Sequence, residues 1–118
     1  MLKVHAKKLD AAEVLSLEGQ LINGDTEILR HAVELASDTS EIILDFSNVS
    51  VVDAHGLGVL LQLRQQSLAR GFHFELINVS RRLYRIFEIT RLHTVFAIHS
   101  GIEFFPQITP ARPMLAAA

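Results

Sequence analysis

The sequence predicts an α/β fold, a mixed β-sheet of four to five strands with helices in the order β-β-α-β-α-β-α-β. Two short alternating runs near the start of the chain predict an antiparallel hairpin. Farther on, amphipathic helical segments alternate with apolar runs of strand length, of which Ile42–Phe46 is the most continuous. Strand–helix–strand units need right-handed crossovers and parallel pairing, so these later strands make the sheet mixed.

The first half of the chain begins with predicted strands at residues 3–8 and 13–18, and Gly19 is expected to end the second. After Gly24, either Asp25 or Thr26 is expected to cap a helix. The apolar positions of this helix are Ile28, Leu29, Ala32, Val33, Leu35 and Ala36. Polar residues 37–40 then separate the helix from the strand Ile42–Phe46, and a polar loop is expected to follow that strand.

A second helix is predicted from Ala54 to Arg70, with Gly71 as its stop. Its apolar arc holds Leu57, Leu60, Leu61, Leu63 and Leu68, and its opposite side holds Gly58, Gln62, Gln65 and Ala69. Strands are predicted at residues 72–77 and 94–98. Between them a third helix, capped by Ser80, turns Leu83, Ile86, Phe87 and Thr90 inward. The domain is expected to span residues 1–104, and residues 105–118, with three prolines, are predicted to be a mobile tail.

The composition of the chain limits the classes of function and partner that are expected. The chain has 118 residues and a formal net charge of -2, which gives no electrostatic case for nucleic acid or an anionic membrane surface. It has no cysteine, so thiolate chemistry is excluded and a reducing compartment fits best. The charged start is unlike a signal peptide, and no apolar stretch is long enough to insert into a membrane. We therefore expect a cytoplasmic protein with no cofactor, whose partner is a protein or a small molecule.

The segment Asp53-Ala54-His55-Gly56 joins a strand to a helix and is where function is expected. His55 falls in the first helical turn, where the helix dipole favours the neutral imidazole. Three roles are open for His55: an acid–base group, a ligand, or a surface residue. The surface residue is the favoured interpretation. Two interpretations are open for the acidic residues here. Asp45 and Asp53 form a carboxylate pair for acid–base or metal chemistry, or Asp53 is the N-cap of the helix, which is favoured. The six histidines show no metal-site spacing.

Two groups of arginines stand out. Arg81, Arg82 and Arg85, followed by Arg91, form a basic cluster that suits an acidic partner surface or phosphate, although a solvated helix face is favoured. Arg64 falls within the apolar arc of the second helix, where a guanidinium needs a carboxylate or a path to solvent.

The run Ile42-Ile43-Leu44-Asp45-Phe46-Ser47-Asn48-Val49, followed by Val52-Asp53-Ala54-His55-Gly56-Leu57-Gly58, resembles the STAS domain family of bacterial anti-sigma factor antagonists. Arg70-Gly71, Leu76-Ile77-Asn78-Val79-Ser80 and Ile86-Phe87-Glu88-Ile89-Thr90-Arg91-Leu92 continue the likeness, which covers about residues 3–103.

This resemblance implies a non-enzymatic module for transcription regulation, which docks on a serine-kinase anti-sigma factor and is switched off by serine phosphorylation. The phosphorylated position matches His55, which has no hydroxyl, so the resemblance implies that the usual switch is missing. The residues expected to dock the partner are Ser47, Asn48, Asp53, Ala54, His55, Gly56, Gly58 and Gln62. The alternative is a STAS accessory subunit of a lipid-transport ABC complex or a stress-signalling scaffold. A homodimer stays open, and an enzyme is supported only by His55 near Asp45 and Asp53.

Overall fold

The computed structural model describes residues 1–36 and 39–99, which form a five-stranded mixed sheet with three helices. In chain order the elements are β1 (Lys3–Leu9), β2 (Ala12–Leu21), α1 (Glu27–Leu35), β3 (Glu41–Val52), α2 (Ala54–Ala69), β4 (His73–Ile77), α3 (Arg81–Ile89) and β5 (Ala97–His99). The sheet order is β1-β2-β3-β4-β5, with β1 antiparallel to β2 and the other pairs parallel. The predicted fold class and element order are confirmed.

Gly19 does not end β2, contrary to the prediction. The strand continues to Leu21, and the register with β3 shifts on both sides of this glycine. Gly19 has φ +119°, and a Cβ there would lie 2.5 Å from the carbonyl oxygen of Met1. A glycine with positive φ inside a paired strand marks a bulge, so the pairing shifts at this residue and continues with β3 through Gln20 and Leu21.

The polar loop predicted after Phe46 is largely strand. β3 extends to Val52, and its second half pairs with the end of β2 from Glu18 to Leu21. Serine and asparagine are poor strand formers, but Val49 and Val52 are buried and anchor this half against the core. Only Asp53 separates the end of β3 from α2, so the candidate site is held between two regular elements.

Two of the predicted helix caps are confirmed. The Ser80 hydroxyl accepts a hydrogen bond from Leu83 N at 3.2 Å, and the Asp53 carboxylate accepts one from Gly56 N at 2.8 Å. Gly71, with φ +84°, follows the end of α2 as predicted. Thr26 occupies the N-cap of α1 without a side-chain capping bond, because its hydroxyl contacts His55 instead.

The main core lies between one face of the sheet and all three helices. Each helix contributes buried side chains to it, among them Leu29 of α1, Leu60 of α2 and Phe87 of α3. A smaller cluster on the other face joins Val14, Ile43 and Ile77.

Several predicted core positions are wrong. Ile28, Leu35 and Leu68 are 46%, 67% and 45% exposed, and Thr90 is also exposed. In the short helix α1 the buried stripe is narrow and consists of Leu29 and Val33, with Ala32 partly buried, so Ile28 and Leu35 face outward. The last strand is β5, Ala97–His99, because residues 92–94 form a single 3-10 turn. The predicted tail, residues 105–118, lies outside the described residues. Within residues 1–36 and 39–99, no helix is long and apolar enough to cross a membrane.

Candidate functional site

Asp53 is fixed at the junction of β3 and α2 by two backbone donors. Its Oδ1 accepts from Gly56 N at 2.8 Å, and its Oδ2 accepts from Asn23 N at 3.0 Å. These two bonds, Asn23 first, hold the pKa of Asp53 below its ordinary value. The ionised carboxylate therefore links the β2–α1 connection to the start of α2 through these two hydrogen bonds. The favoured N-cap interpretation of Asp53 is confirmed.

His55 is exposed in the first turn of α2. Its Nε2 lies 3.3 Å from the hydroxyl oxygen of Thr26, which is buried at 3% exposure. One ring nitrogen thus contacts a fixed hydroxyl at the start of α1, while the body of the ring lies on the surface. The side chain is oriented by the fold, which suits a residue that meets a binding partner.

Gly56 is buried because the helix start presses against β2. A Cβ on this residue would lie 2.2 Å from the carbonyl oxygen of Leu21, closer than any side chain tolerates. This close approach requires glycine and sets the distance between α2 and the end of β2. Gly56 therefore shapes the site from inside, whereas its neighbours Ala54 and His55 form the surface.

The outward face of α2 is small and uncharged. Its exposed residues include Gly58, Gln62, Gln65 and Ala69, as the sequence predicted. A Cβ on Gly58 would meet no atom within 4 Å, so the surface there is open. Another backbone can approach such a surface closely, and the amide groups of the glutamines can donate and accept hydrogen bonds.

A second polar group lies where β4 ends. Asp45 Oδ1 accepts hydrogen bonds from Ser47 Oγ at 2.7 Å, from Ser47 N at 3.0 Å and from Asn78 Nδ2 at 3.1 Å. Ser47 and Asn48 are exposed. Asp45 and Asp53 thus bind separate sets of donors, so the structure gives no support to the alternative of a carboxylate pair.

Asn23 and Thr26 contact the start of α2, and Asn78 belongs to the polar group around Asp45, although none of the three was among the predicted site residues. Asn23 and Asn78 each follow the end of a strand, just as Asp53 follows β3. The carboxyl ends of parallel strands meet at one edge of a sheet, where binding sites of α/β folds collect. Polar residues one or two positions after successive strands were therefore the signal that would have found two of these three.

The polar side chains at this edge are engaged in hydrogen bonds within the fold. Both carboxylates are occupied by fixed donors, and within residues 1–36 and 39–99 no group of three histidine, aspartate or glutamate side chains is arranged to hold a metal ion. Ala54 and Gly58, close to His55 along the helix, are exposed and small, and the exposed amides of Gln62 and Gln65 lie farther along α2. The arrangement offers hydrogen bonds and close contact to a protein surface.

Comparisons with known proteins show which family and which fold this chain resembles. The family model described as STAS domain matches residues 3–108. The anti-sigma-B factor antagonist of Bacillus subtilis (strain 168) is 29% identical over 90 residues, which cover 75% of this chain and 83% of the relative.

Two solved structures share the fold. An anti-sigma factor antagonist from Mycobacterium paratuberculosis has a TM-score of 0.72 and 20% identity, covering 99% of this chain and 93% of that one. A sulfate transporter family protein from Wolinella succinogenes has a TM-score of 0.70 and 22% identity, covering 77% of this chain and 78% of that one.

Proposed function

Because this chain belongs to the STAS domain family and is an anti-sigma factor antagonist-like member of it, we propose that it regulates transcription by docking on an anti-sigma factor of the serine-kinase type. Proteins of this kind are regulatory rather than catalytic. The proposed setting is the cytoplasm, and the proposed contact is between two proteins, with no cofactor.

The proposed docking surface consists of the exposed end of β3 from Ser47, the start of α2 at Ala54 and His55, and the α2 face of Gly58 and Gln62. One observation carries this assignment: the outward face of α2 from Gly58 to Ala69 is exposed, uncharged and open at Gly58, directly beside the oriented His55. A surface without charges costs little to desolvate, so a partner can cover it without pairing buried ions.

The proposal also holds that this docking surface has no serine switch at residue 55. An imidazole cannot accept phosphate from a serine kinase. The nearby hydroxyls are already engaged, because Ser47 Oγ donates to Asp45 and Ser50 Oγ donates to the carbonyl of Gly19 at 3.3 Å. A phosphate placed beside Asp53 would repel an approaching protein. Because residue 55 has no hydroxyl to receive a phosphate, the chain would bind its partner constitutively.

The test is to purify each serine-kinase anti-sigma factor of the source organism and measure its binding to the chain by calorimetry. The partner kinase is then given labelled ATP with wild type and with His55→Ser. The proposal expects binding of wild type without labelling, and labelling of His55→Ser at residue 55. Label on Ser47 or Ser50 of wild type would overturn the unswitched mechanism, and failure of every anti-sigma factor to bind would overturn the docking proposal.

A second candidate function is favoured by the shared fold with a sulfate transporter family protein. In it the chain is an accessory STAS subunit of a membrane transport complex, such as a lipid-transport ABC complex, or of a stress-signalling scaffold. Pull-down with the tagged chain followed by mass spectrometry separates the candidates. Recovery of transporter subunits supports the second, and recovery of an anti-sigma factor supports the first.

A further inference from the structure

The exposed side of α3 is basic. Arg81, Arg82 and Arg85 are all exposed, and Arg91, just beyond the helix, is exposed as well. Positions 81, 85 and 89 are four apart, so they form one stripe on the helix surface. The third member of this stripe is Ile89, which is 76% exposed. We call Arg81, Arg82, Arg85 and Ile89 the α3 patch.

The charges of the α3 patch are not neutralised by any carboxylate in the described part of the chain. No arginine of the patch forms an ion pair with a carboxylate of residues 1–36 and 39–99. Glu88 is the sole acidic residue between Ser80 and Arg91, and in the described residues it is not paired with an arginine either. Three positive charges beside an exposed isoleucine thus have no acidic partner among residues 1–36 and 39–99, in a protein whose formal net charge is -2.

The α3 patch begins next to the proposed docking surface. Asn78 at the end of β4 is bonded to Asp45, which also holds Ser47. Arg81 comes three residues after Asn78, and three residues span at most about 10 Å. One partner lying over Ser47 therefore reaches the first turn of α3 without any change in the fold.

We propose that the α3 patch is a second part of the docking surface, which recognises an acidic segment of the partner protein carrying an apolar side chain for Ile89. This inference rests on the proposed function. Guanidinium groups bind carboxylates through two parallel hydrogen bonds, and arginine is enriched where proteins bind each other. Nucleic acid or an anionic membrane fits less well, because both need a broad basic field and the adjoining surface carries Asp45 and Asp53.

The first test uses a short synthetic peptide rich in glutamate and leucine as the probe. It is titrated into the isotope-labelled full chain and followed by NMR. The amide signals of Arg81, Arg85 and Ile89 are expected to shift in a saturable way, and binding is expected to weaken as salt is added. The double variant Arg81→Glu, Arg85→Glu is expected to bind the peptide about tenfold more weakly.

A matched control is Lys3→Glu, Lys7→Glu, which makes the same change of charge at exposed residues of β1. Its affinity is expected to stay within about twofold of wild type. Equal losses in both double variants would show a response to net charge alone and would overturn the proposal. Binding of phosphatidylglycerol vesicles or duplex DNA through α3, in preference to the peptide, would also overturn it.

The second test uses an anti-sigma factor that binds the wild-type chain. Arg81→Glu, Arg85→Glu is expected to weaken that complex at least about fivefold, chiefly through slower association. An unchanged affinity would overturn the role of the α3 patch while leaving the proposed function intact. If no anti-sigma factor binds wild type, the proposed function fails, and the peptide titration still decides whether the patch recognises acidic segments.

Discussion

The imidazole Nε2 of His55 lies 3.3 Å from the hydroxyl oxygen of Thr26, a residue 29 positions earlier in the chain. This contact joins the first turn of α2 to the start of α1, and it uses a hydroxyl that would otherwise cap α1 itself. Asp53 makes a parallel connection through its bond to Asn23 N. The start of α2 is thus fixed from the β2–α1 connection by two polar contacts, which orient the surface around His55.

Replacing Thr26 with valine is expected to remove the contact with His55 while keeping the shape of the buried side chain. The free energy of unfolding should fall by about 1 kcal/mol, the usual worth of one hydrogen bond, as measured by urea denaturation. Thr26→Ser keeps the hydroxyl and should lose less. Equal stability of the valine variant and wild type would mean that this contact contributes nothing.

Gly56→Ala is expected to be strongly destabilising. The new methyl group would lie 2.2 Å from the carbonyl oxygen of Leu21, so either α2 or the end of β2 must move. Overpacking of this kind costs about 1–3 kcal/mol, and backbone on one side of the clash places this variant at the upper end. Urea denaturation measures the loss, and the NMR signals of Asn23 and His55 report the displacement.

Gly58→Ala is the matched control on the same helix. A Cβ at this position meets no atom within 4 Å, so the substitution adds helix propensity without a clash. Stability should rise by about 0.5–1 kcal/mol. A destabilised Gly58→Ala together with a tolerated Gly56→Ala would contradict the packing described for the start of α2.

Gly58→Ala also tests the docking proposal, since a methyl group on this open face should weaken partner binding.

Asp53 predicts a dependence of stability on pH. Its pKa is lowered in the folded chain, so its contribution is complete above the ordinary value of 3.8 and is lost as the pH falls through the lowered pKa. Asp53→Ala should lower the melting temperature by about 5 °C at neutral pH, through loss of the cap. Near pH 2 the difference should narrow. Asp53→Asn keeps a capping oxygen and should show a flatter profile; a constant gap across the pH range for Asp53→Ala would count against this account.

The sequence was sufficient for the fold because the decisive signals are local. Four of the five residues in Ile42–Phe46 are apolar, Asp53 and Ser80 stand at cap positions, and Gly71 follows the last turn of α2. Each of these signals depends on neighbours within a few residues. The confirmed elements are therefore those whose sequence signals lie close together along the chain.

The features that the sequence did not predict depend instead on contacts between distant parts of the chain. Ser47–Val52 is a strand because β2 lies beside it, and Leu68 is exposed because none of the described elements fully covers its side of α2. The contact of Thr26 with His55 depends on how two helix starts meet, which no spacing within the sequence encodes. For the same reason Asp53 could be placed by the sequence as a helix cap, while its second bond, to Asn23, could not.

On the face of the sheet away from the helices, Glu75 lies on β4 within reach of Glu41 on β3. Its Oε1 is buried and receives no hydrogen bond in the described part of the chain. Burial, first, and then the Glu41 carboxylate raise the pKa of Glu75, against the smaller opposing effects of His99 and His73. A protonated Glu75 can donate to Glu41, whereas an ionised one faces a like charge.

Glu75→Gln is therefore expected to stabilise the protein, but only at pH values above the raised pKa of Glu75. An acid whose pKa is raised by folding lowers stability as the pH rises from its ordinary value of 4.5 through the raised pKa. Glutamine donates to Glu41 at every pH, so the melting temperature should gain a few degrees at pH 8 and about nothing near pH 4. Differential scanning calorimetry across this range measures both. Glu41→Gln should shrink the gain by removing the facing charge, and a gain that is the same at both pH values would show that shape, rather than the shared proton, decides the stability of this pair.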